Sequence, residues 1–193
     1  MSVQDRRDRD LARRYQLIVA TARELAEAEG WDAVTTRRLA ERVEYSQPVL
    51  YSHFSGKDAI VRAVAIEGFD ELAASLCRAR STATSCQAAL RALAGAYLAF
   101  AVDRPALYDA MFVLPTDMPF GSPEMPDAPR AAFAELVAAL APLAGTRDLE
   151  ALGELTWSAL HGLATLTRGH RLRAGHQLAR LDLLIDQLIS EET

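Results

Sequence analysis

The stretch from Thr35 to Lys57, TTRRLAERVEYSQPVLYSHFSGK, limits the possible folds of this chain more than any other part of its sequence. Thr35 is a good N-cap for one short helix, Glu44 and Tyr45 have the character of a turn, and Ser46 can cap a second helix. The second helix is too short to form alone in water, so buried anchors must hold it on a scaffold. The stretch therefore predicts two short helices joined by a tight turn inside a larger helical domain.

The predicted second helix, residues 47–54, has an inward and an outward face. Leu50 and Phe54 are four residues apart and predict the inward face. The side chains left largely outward are Gln47, Pro48, Val49, Tyr51, Ser52 and His53. Glutamine can pair bidentately with adenine, and proline and valine can contact a thymine methyl group. The side chains able to donate to phosphates are those of Thr35, Thr36, Arg37, Ser46, Tyr51, His53 and Lys57.

These residue types fit a helix-turn-helix, in which the second helix enters the major groove and its first residues meet base edges. Arg37, near the start of the first helix, could reach a base instead of a phosphate. Spacing alone leaves an ordinary helical hairpin with a solvated outer face as an alternative at nearly even odds, because short helix pairs are common.

The composition favours an all-α protein, since half of the residues are apolar, Leu and Ala dominate, and strict alternation is rare. Apolar spacing and breaker residues predict about nine helices. Their approximate ranges are 10–29, 35–43, 47–54, 57–80, 85–102, 105–112, 130–143, 147–171 and 176–191. Residues 1–9 are expected to be solvated and mobile. The alternative is that Arg6, Arg7, Arg9, Arg13 and Arg14 follow DNA, although Asp5, Asp8 and Asp10 offset their charge. The stretch from Pro115 to Pro129 carries five prolines and is expected to be an irregular loop.

The charge is unevenly distributed along the chain. Residues 1–57 carry 10 Lys+Arg and 9 Asp+Glu, a net of +1, whereas residues 58–193 carry 11 and 17, a net of −6. The N-terminal part is therefore the less repulsive surface for phosphate, although the whole chain has a net charge of −5.

The sequence gives no indication of a metal site, a phosphate-binding loop, a catalytic site, a signal peptide or a membrane span. Cys77 and Cys86 are isolated, and neither metal ligands nor a Gly-rich phosphate loop nor a nucleophile with a nearby base can be recognised. The charged start, MSVQDRRDRD, does not resemble a signal peptide, and there is no apolar run long enough to span a membrane. We therefore expect a cytoplasmic protein that is not an enzyme and that has no metal, cofactor or membrane partner.

The string TTRRLAERVEYSQPVLYSHFSGKDAI closely resembles the DNA-binding head of the TetR family of bacterial transcriptional regulators, and the similarity covers Tyr15 to about Ala63. The resemblance implies phosphate contacts by Thr36, Tyr51, His53 and Lys57. It implies base contacts by Arg37, Gln47 and Pro48. Val49 and Ser52 stand where tetracycline repressors carry Thr and Trp, so a different operator is expected.

The C-terminal part carries a second resemblance. The segments Trp157-Ser-Ala-Leu-His161-Gly162 and Asp103-Arg104-Pro105-Ala-Leu-Tyr108 resemble the C-terminal domain type of this family that is named for a Trp-x-x-x-His-Gly pattern. That type implies a helical body with a ligand cavity and a homodimer formed through the last two helices. The implied domains are a DNA-binding head at 10–57, a connecting helix at 58–80 and a ligand-binding and dimerisation body at 81–193.

The candidate ligand-binding residues are Tyr97, Phe100, Tyr108, Met111, Phe112, Phe133, Trp157 and His161. As a set they would suit an apolar or aromatic small molecule. Each is also a normal core residue, and a core histidine bonded to backbone is the favoured interpretation of His161. The sequence thus predicts a homodimeric regulator, most often a repressor, that binds a palindromic operator and is released by an effector. The alternatives are a small-molecule-binding helical protein without DNA binding and, with less support, an enzyme.

Overall fold

A computed structural model describes residues 3–189 of the chain, and for Val3 it describes the backbone alone. No strand occurs in that range. Within it the chain forms nine α-helices and two short 3-10 helices at Trp31–Ala33 and Ala141–Leu143. The α-helices are α1 (Val3–Glu29), α2 (Thr36–Arg42), α3 (Gln47–Tyr51), α4 (Lys57–Ser81), α5 (Cys86–Asp103), α6 (Pro105–Phe112), α7 (Asp127–Leu140), α8 (Leu149–Arg168) and α9 (Gln177–Ile189). The predicted all-α class with about nine helices is confirmed.

The helices group into two compact units. The first contains residues up to Gly68 together with Arg104–Ser122, and the second contains Phe69–Asp103 and the residues from Pro123 onward. Helix α4 passes from the first unit into the second after Gly68. In this grouping, α6 and the first half of α4 lie with the N-terminal helices, and the functional division at 10–57, 58–80 and 81–193 stays a prediction.

The core of the first unit is built from the apolar faces of α1 to α4 and α6. On α1, Ile18, Ala22 and Leu25 are fully buried, as their spacing predicts. Leu11 and Tyr15 share that face but remain 51% and 36% exposed, because they lie upstream of the packed part of the helix.

The start of α1 differs from the prediction. The helix begins at Val3, not near Asp10, and residues 4–9 are helical although they are exposed. Local bonds support this turn: the Gln4 amide donates to Asp8 at 3.0 Å, and Arg9 Nε donates to the Asp5 carbonyl at 3.0 Å. Residues 1 and 2 lie outside the described range.

Helix α6 is held in the first unit by residues far away in the sequence. The Glu27 carboxylate accepts hydrogen bonds from Ala106 N at 3.1 Å and Leu107 N at 3.0 Å, and Trp31 Nε1 donates to the Ala106 carbonyl at 2.7 Å. Together the two side chains bind both polar groups of Ala106, and Glu27 caps the first turn of α6, where Arg104 supplies no side-chain cap. Trp31 is therefore a core residue.

Helix α6 also lies very close to α4. A Cβ atom added at Gly68 would lie 2.7 Å from Met111 Sδ and 2.8 Å from Leu107 Cδ1. Glycine at this position therefore allows the two helices to approach each other, which larger side chains would prevent.

The second unit packs α5 against α7, α8 and α9. Leu93, Leu140, Leu160 and Ile185 are buried at its centre. The helices are also joined by ion pairs between Arg80 and Glu135, at 2.8 Å, and between Arg91 and Asp182. Arg147 donates to the carbonyls of Leu143, Ala144 and Leu188, which ties the segment before α8 to the end of α9.

Some predicted helix bounds in the second unit were wrong. Helix α7 begins at Asp127 and not at Arg130, and it takes Pro129 into its first turn, where a missing N–H has no cost. The irregular loop, predicted from Pro115 to Pro129, is confirmed for residues 115–126. Helix α8 is shorter at both ends than predicted, and the predicted end of α9 at Glu191 lies outside the described residues. Across residues 3–189, no helix combines the length and the apolar character that a membrane crossing requires.

Candidate nucleic-acid interface

Helix α2 begins at a side-chain cap and is joined to the end of α1 by an ion pair. Thr35 is its N-cap, and the hydroxyl accepts a hydrogen bond from Arg38 N at 3.2 Å. The Arg38 guanidinium forms two hydrogen bonds of 2.9 Å with the Glu29 carboxylate. These bonds from Arg38 lower the pKa of Glu29, which therefore remains ionised at neutral pH.

The turn between α2 and α3 has the geometry of a Schellman motif. Glu44 has a left-handed backbone with φ of 57°, and Tyr45 N donates to the Ala40 carbonyl at 3.0 Å. The predicted turn at Glu44–Tyr45 is thus confirmed. A glutamate at a position that favours glycine is a local strain, because its Cβ crowds the backbone in this conformation.

Helix α3 ends earlier than predicted, at Tyr51 and not at Phe54. Backbone bonding continues past its end, since Phe54 N donates to the Leu50 carbonyl at 3.0 Å. Leu50 and Phe54 are buried, with exposures of 0% and 4%, which confirms them as the inward anchors. Phe54 also stacks on Tyr15 of α1 with ring centroids 4.8 Å apart. Ser46 occupies the N-cap position, but its hydroxyl makes no capping hydrogen bond.

The predicted contact residues at the start of α3 are accessible. Gln47 and Pro48 are exposed, Val49 is half-buried, and Tyr51 is 50% exposed. The Ser52 hydroxyl is exposed but donates to the Val49 carbonyl at 2.6 Å.

The hydroxyl oxygens of Thr36 and Tyr51 lie 3.4 Å apart, which joins α2 and α3 on their outer side. Arg37 is highly exposed and pairs with Glu41 at 3.0 Å.

The remaining two predicted contact residues are less free than the sequence suggests. His53 is half-buried, not outward, and its Nε2 is buried without a hydrogen-bond partner among the described residues. That atom can meet a phosphate only if the ring moves. Lys57 Nζ donates to the Trp31 carbonyl at 2.5 Å, which leaves two of its three N–H donors for another acceptor.

Five of the predicted ligand-binding residues lie in the second unit. Tyr97 and Phe100 are buried on α5, Phe133 on α7 packs against Gly153, and Trp157 and His161 lie on α8. Trp157 Nε1 donates to the Tyr97 hydroxyl at 3.1 Å.

His161 lies beside Trp157, with the ring centroids 6.4 Å apart, and its Nε2 is 3.5 Å from the Thr165 hydroxyl. Burial, with a smaller effect of Arg168, lowers its pKa, so the imidazole is neutral at pH 7.

The other three predicted ligand-binding residues lie on α6, in the first unit. Tyr108 and Met111 are almost completely buried there, and Phe112 is half-buried with its ring centroid 4.8 Å from that of Tyr108. The eight residues therefore do not form a single set within one unit. Within residues 3–189, no group of three or more His, Cys, Asp or Glu side chains is arranged to hold a metal ion.

Sequence reasoning did not identify Glu27, Arg38 or the contact of Arg14 with Tyr45. Each contact joins residues of different elements, and the apolar spacing within one helix gives no information about such a contact. Only a folded structure can reveal them.

Two family models match this chain, one in its N-terminal part and one in its C-terminal part. Residues 18–64 match the family described as bacterial regulatory proteins of the tetR family, and residues 90–191 match the tetracyclin repressor-like C-terminal domain. The uncharacterized HTH-type transcriptional regulator Rv0681 of Mycobacterium tuberculosis is 35% identical over 153 residues, covering 77% of this chain and 67% of that protein.

The class C tetracycline repressor of Escherichia coli is 46% identical over 50 residues, which cover 26% of this chain and 23% of that repressor. A solved structure of a protein of unknown function from Rhodococcus sp. RHA1 is similar over 90% of this chain and 92% of that one, with a TM-score of 0.74 and 27% identity.

Proposed function

This chain belongs to the TetR family of bacterial transcriptional regulators and is a DNA-binding regulator, and we propose on that premise that it represses by placing α3 in the major groove. The observation that carries the proposal is the geometry of α3. Leu50 and Phe54 hold it on the head, while Gln47 and Pro48 stand exposed at its first turn. In a helix-turn-helix these first residues are the ones that meet base edges.

The contacts divide into two kinds. Gln47 reads adenine, Pro48 and Val49 contact a thymine methyl group, and Arg37 reaches a base from α2. The phosphate contacts come from Thr35, Thr36, Ser46, Tyr51, His53 and Lys57, whereas the single O–H of Ser52 is taken by the Val49 carbonyl. The hydroxyl contact between Thr36 and Tyr51 supports this grouping, because it holds the two groups side by side and leaves one O–H donor for a phosphate oxygen. His53 joins them only if its ring turns from the observed position.

We propose that the chain forms a cytoplasmic homodimer that binds a palindromic operator. The last two helices, α8 and α9, form the dimer interface. Large apolar side chains on α8 and α9 support this role, since Leu155, Leu178 and Leu183 are 64%, 75% and 65% exposed. Exposed leucines at this density favour burial against a partner. A two-fold dimer would present two α3 helices to half-sites about one helical turn of DNA apart.

The effector proposal rests on α5 and α8. Trp157 and His161 belong to the Trp-x-x-x-His-Gly pattern, so we assign the second unit to that C-terminal type. The indole donates to Tyr97 and the neighbouring imidazole is neutral, which suits an apolar or aromatic molecule with one polar group. The effector binds better to the form that cannot place both α3 helices in adjacent grooves, and this differential affinity lowers operator occupancy.

Binding to a duplex from the DNA upstream of the chain's own gene tests the function, because phosphate contacts make affinity fall as salt rises. Gln47→Ala is expected to relax sequence preference, whereas Lys57→Ala should weaken binding to all sequences alike. Absent or salt-independent binding would instead favour a small-molecule-binding protein without DNA activity. A reversed pattern of the two variants would overturn the assignment of base and phosphate roles.

The effector site has its own test. Apolar and aromatic compounds are screened by quenching of indole fluorescence, and a true effector should lose its quenching in Trp157→Phe while Trp31 still emits. A compound that saturates the chain but leaves operator affinity unchanged is excluded as the effector.

A further inference from the structure

The first turns of α1 form a charged helical extension of the head. Residues 4–17 are all exposed, and the first buried residue of α1 is Ile18. This extension contains five arginines against three aspartates, a net charge of +2. The residues concerned are Arg6, Arg7, Arg9, Arg13 and Arg14, with Asp5, Asp8 and Asp10.

The arginines do not all point in the same direction. Arg7 and Arg14 are spaced seven apart, and with Leu11 they continue the side of α1 that carries the buried Ile18. Arg6 and Arg13 are also seven apart, but helical geometry turns them toward the opposite side of α1. Only the first pair therefore lies on the side of α1 that carries the buried Ile18.

Arg14 is held at the start of the recognition helix. Its Cζ lies over the ring of Tyr45, 5.8 Å from the ring centroid. Tyr45 belongs to the turn before α3 and is followed at once by Ser46 and Gln47. Asp10, one helical turn upstream, would be the local partner of Arg14, but the guanidinium lies over Tyr45 instead.

A contact with an aromatic ring leaves the hydrogen-bonding capacity of arginine intact. The interaction is between the cation and the ring quadrupole, so the five N–H donors remain for an acceptor. The planar guanidinium matches the geometry of phosphate oxygens. Since residues 1–57 have a net charge of only +1, each well-placed cation contributes strongly to the attraction of DNA.

We propose that Arg14, positioned by Tyr45, contacts DNA phosphates that flank the bases met by α3, and that Arg7 extends this contact two helical turns upstream. The proposal rests on the proposed docking of α3 in the major groove. It adds a second contact surface outside the α2–α3 pair, and Tyr45 acts as its positioning residue.

The test measures binding by fluorescence anisotropy at several salt concentrations. The probes are a duplex of about 30 base pairs from upstream of the chain's own gene, long enough for two half-sites, and a scrambled duplex of equal length. Arg14→Ala should weaken binding to both duplexes by the same factor, on the order of tenfold. It should also reduce the log–log salt slope by about 0.9 for each phosphate that the variant no longer neutralises.

Three variants serve as controls. Arg13→Ala removes the same charge from the other side of α1 and should leave both duplexes bound as before. Tyr45→Phe keeps the ring and should retain the salt slope, whereas Tyr45→Leu should reduce it although Arg14 is still present. Thermal melting of each variant checks that the fold is intact.

The outcomes separate this inference from the proposed function. If the wild-type chain binds neither duplex, the DNA-docking proposal itself fails. If the wild-type chain binds and Arg14→Ala keeps its salt slope, the flanking contact is refuted. Equal losses of affinity in Arg13→Ala and Arg14→Ala would also refute it, because they would indicate diffuse charge and not a positioned contact.

Discussion

Replacing Glu27 by alanine is expected to loosen the attachment of α6 to the head. The carboxylate of Glu27 accepts from Ala106 N and Leu107 N at 3.1 and 3.0 Å, so its removal leaves two amides of the first helical turn without their partner. Arg104 provides no substitute, since it makes no side-chain cap. Water can reach part of this site, because Glu27 is itself exposed, and this reduces the loss of stability.

The magnitude follows from two contributions. Removing a helix cap costs about 0.5–2 kcal/mol, and removing a negative charge at a helix N-terminus costs about 0.3–1 kcal/mol. With partial solvation we expect about 1.5 kcal/mol in total. For a chain of this size, this destabilisation corresponds to a fall in Tm of about 3–6 °C. Glu27→Gln keeps one acceptor oxygen and should be destabilised by about half as much.

Thermal melting followed by circular dichroism measures the effect, with Glu24→Ala as the matched control. Glu24 is an exposed glutamate on the same helix, one turn away, and its removal should leave Tm almost unchanged. If Glu27→Ala melts at the wild-type temperature, the capping of α6 does not contribute to stability. Equal falls in Tm for both variants would assign the effect to the charge of α1 and not to the cap.

Gly68→Ala should destabilise the chain by about 1–3 kcal/mol in a urea titration, because its Cβ would meet Met111 and Leu107. Glu44→Gly should raise stability by about 1 kcal/mol in the same titration, since glycine adopts the left-handed conformation without strain. His161 should make the chain less stable as pH falls below 6.5. Its folded-state pKa is lowered by burial, so the unfolded chain binds the proton more readily and stability rises with pH across that window.

Each of these predictions has a matched control or an outcome that would contradict it. Gly95→Ala, in an open position of α5, should stabilise slightly where Gly68→Ala destabilises, and the same sign for both would contradict the steric argument. Glu44→Ala keeps the left-handed strain, so a gain equal to that of Glu44→Gly would be evidence against strain as the cause. His161→Gln should flatten the acid-side dependence, and a variant that keeps the wild-type dependence would contradict the assignment to His161.

The helices were predictable because their apolar spacing is local and strong. Ile18, Leu25, Leu50 and Phe54 are buried as their three- and four-residue spacings require. The end of α1 was equally predictable, because glycine is the residue that most often follows a helix end. Gly30 has φ of 83° there, and Gly30 N donates to the Ala26 carbonyl at 2.8 Å. The starts of α1 and α7 were less predictable. Charged side chains or a proline can stabilise the first turn of a helix where no apolar spacing indicates one.

The contact surface was predictable in residue type but not in side-chain position. The exposure of Gln47 and Pro48 follows from the inward anchors of α3. The burial of His53 Nε2 does not, because a ring direction depends on neighbours from other elements. The candidate ligand-binding residues also show that residue type does not predict position. The eight residues were selected mainly for their aromatic character, and in the structure they lie in two different units.

By itself, the sequence determined the helical class, the two anchors of α3 and the family to which the head belongs, since all of these depend on residues close together in the chain. Tertiary structure alone decided that α6 joins the head. Its first turn is bound by Glu27, which lies 79 residues from Ala106, and no spacing rule connects two such positions. It also brought Arg14 to Tyr45, because the direction in which a helix crosses its neighbours follows from packing of the whole core.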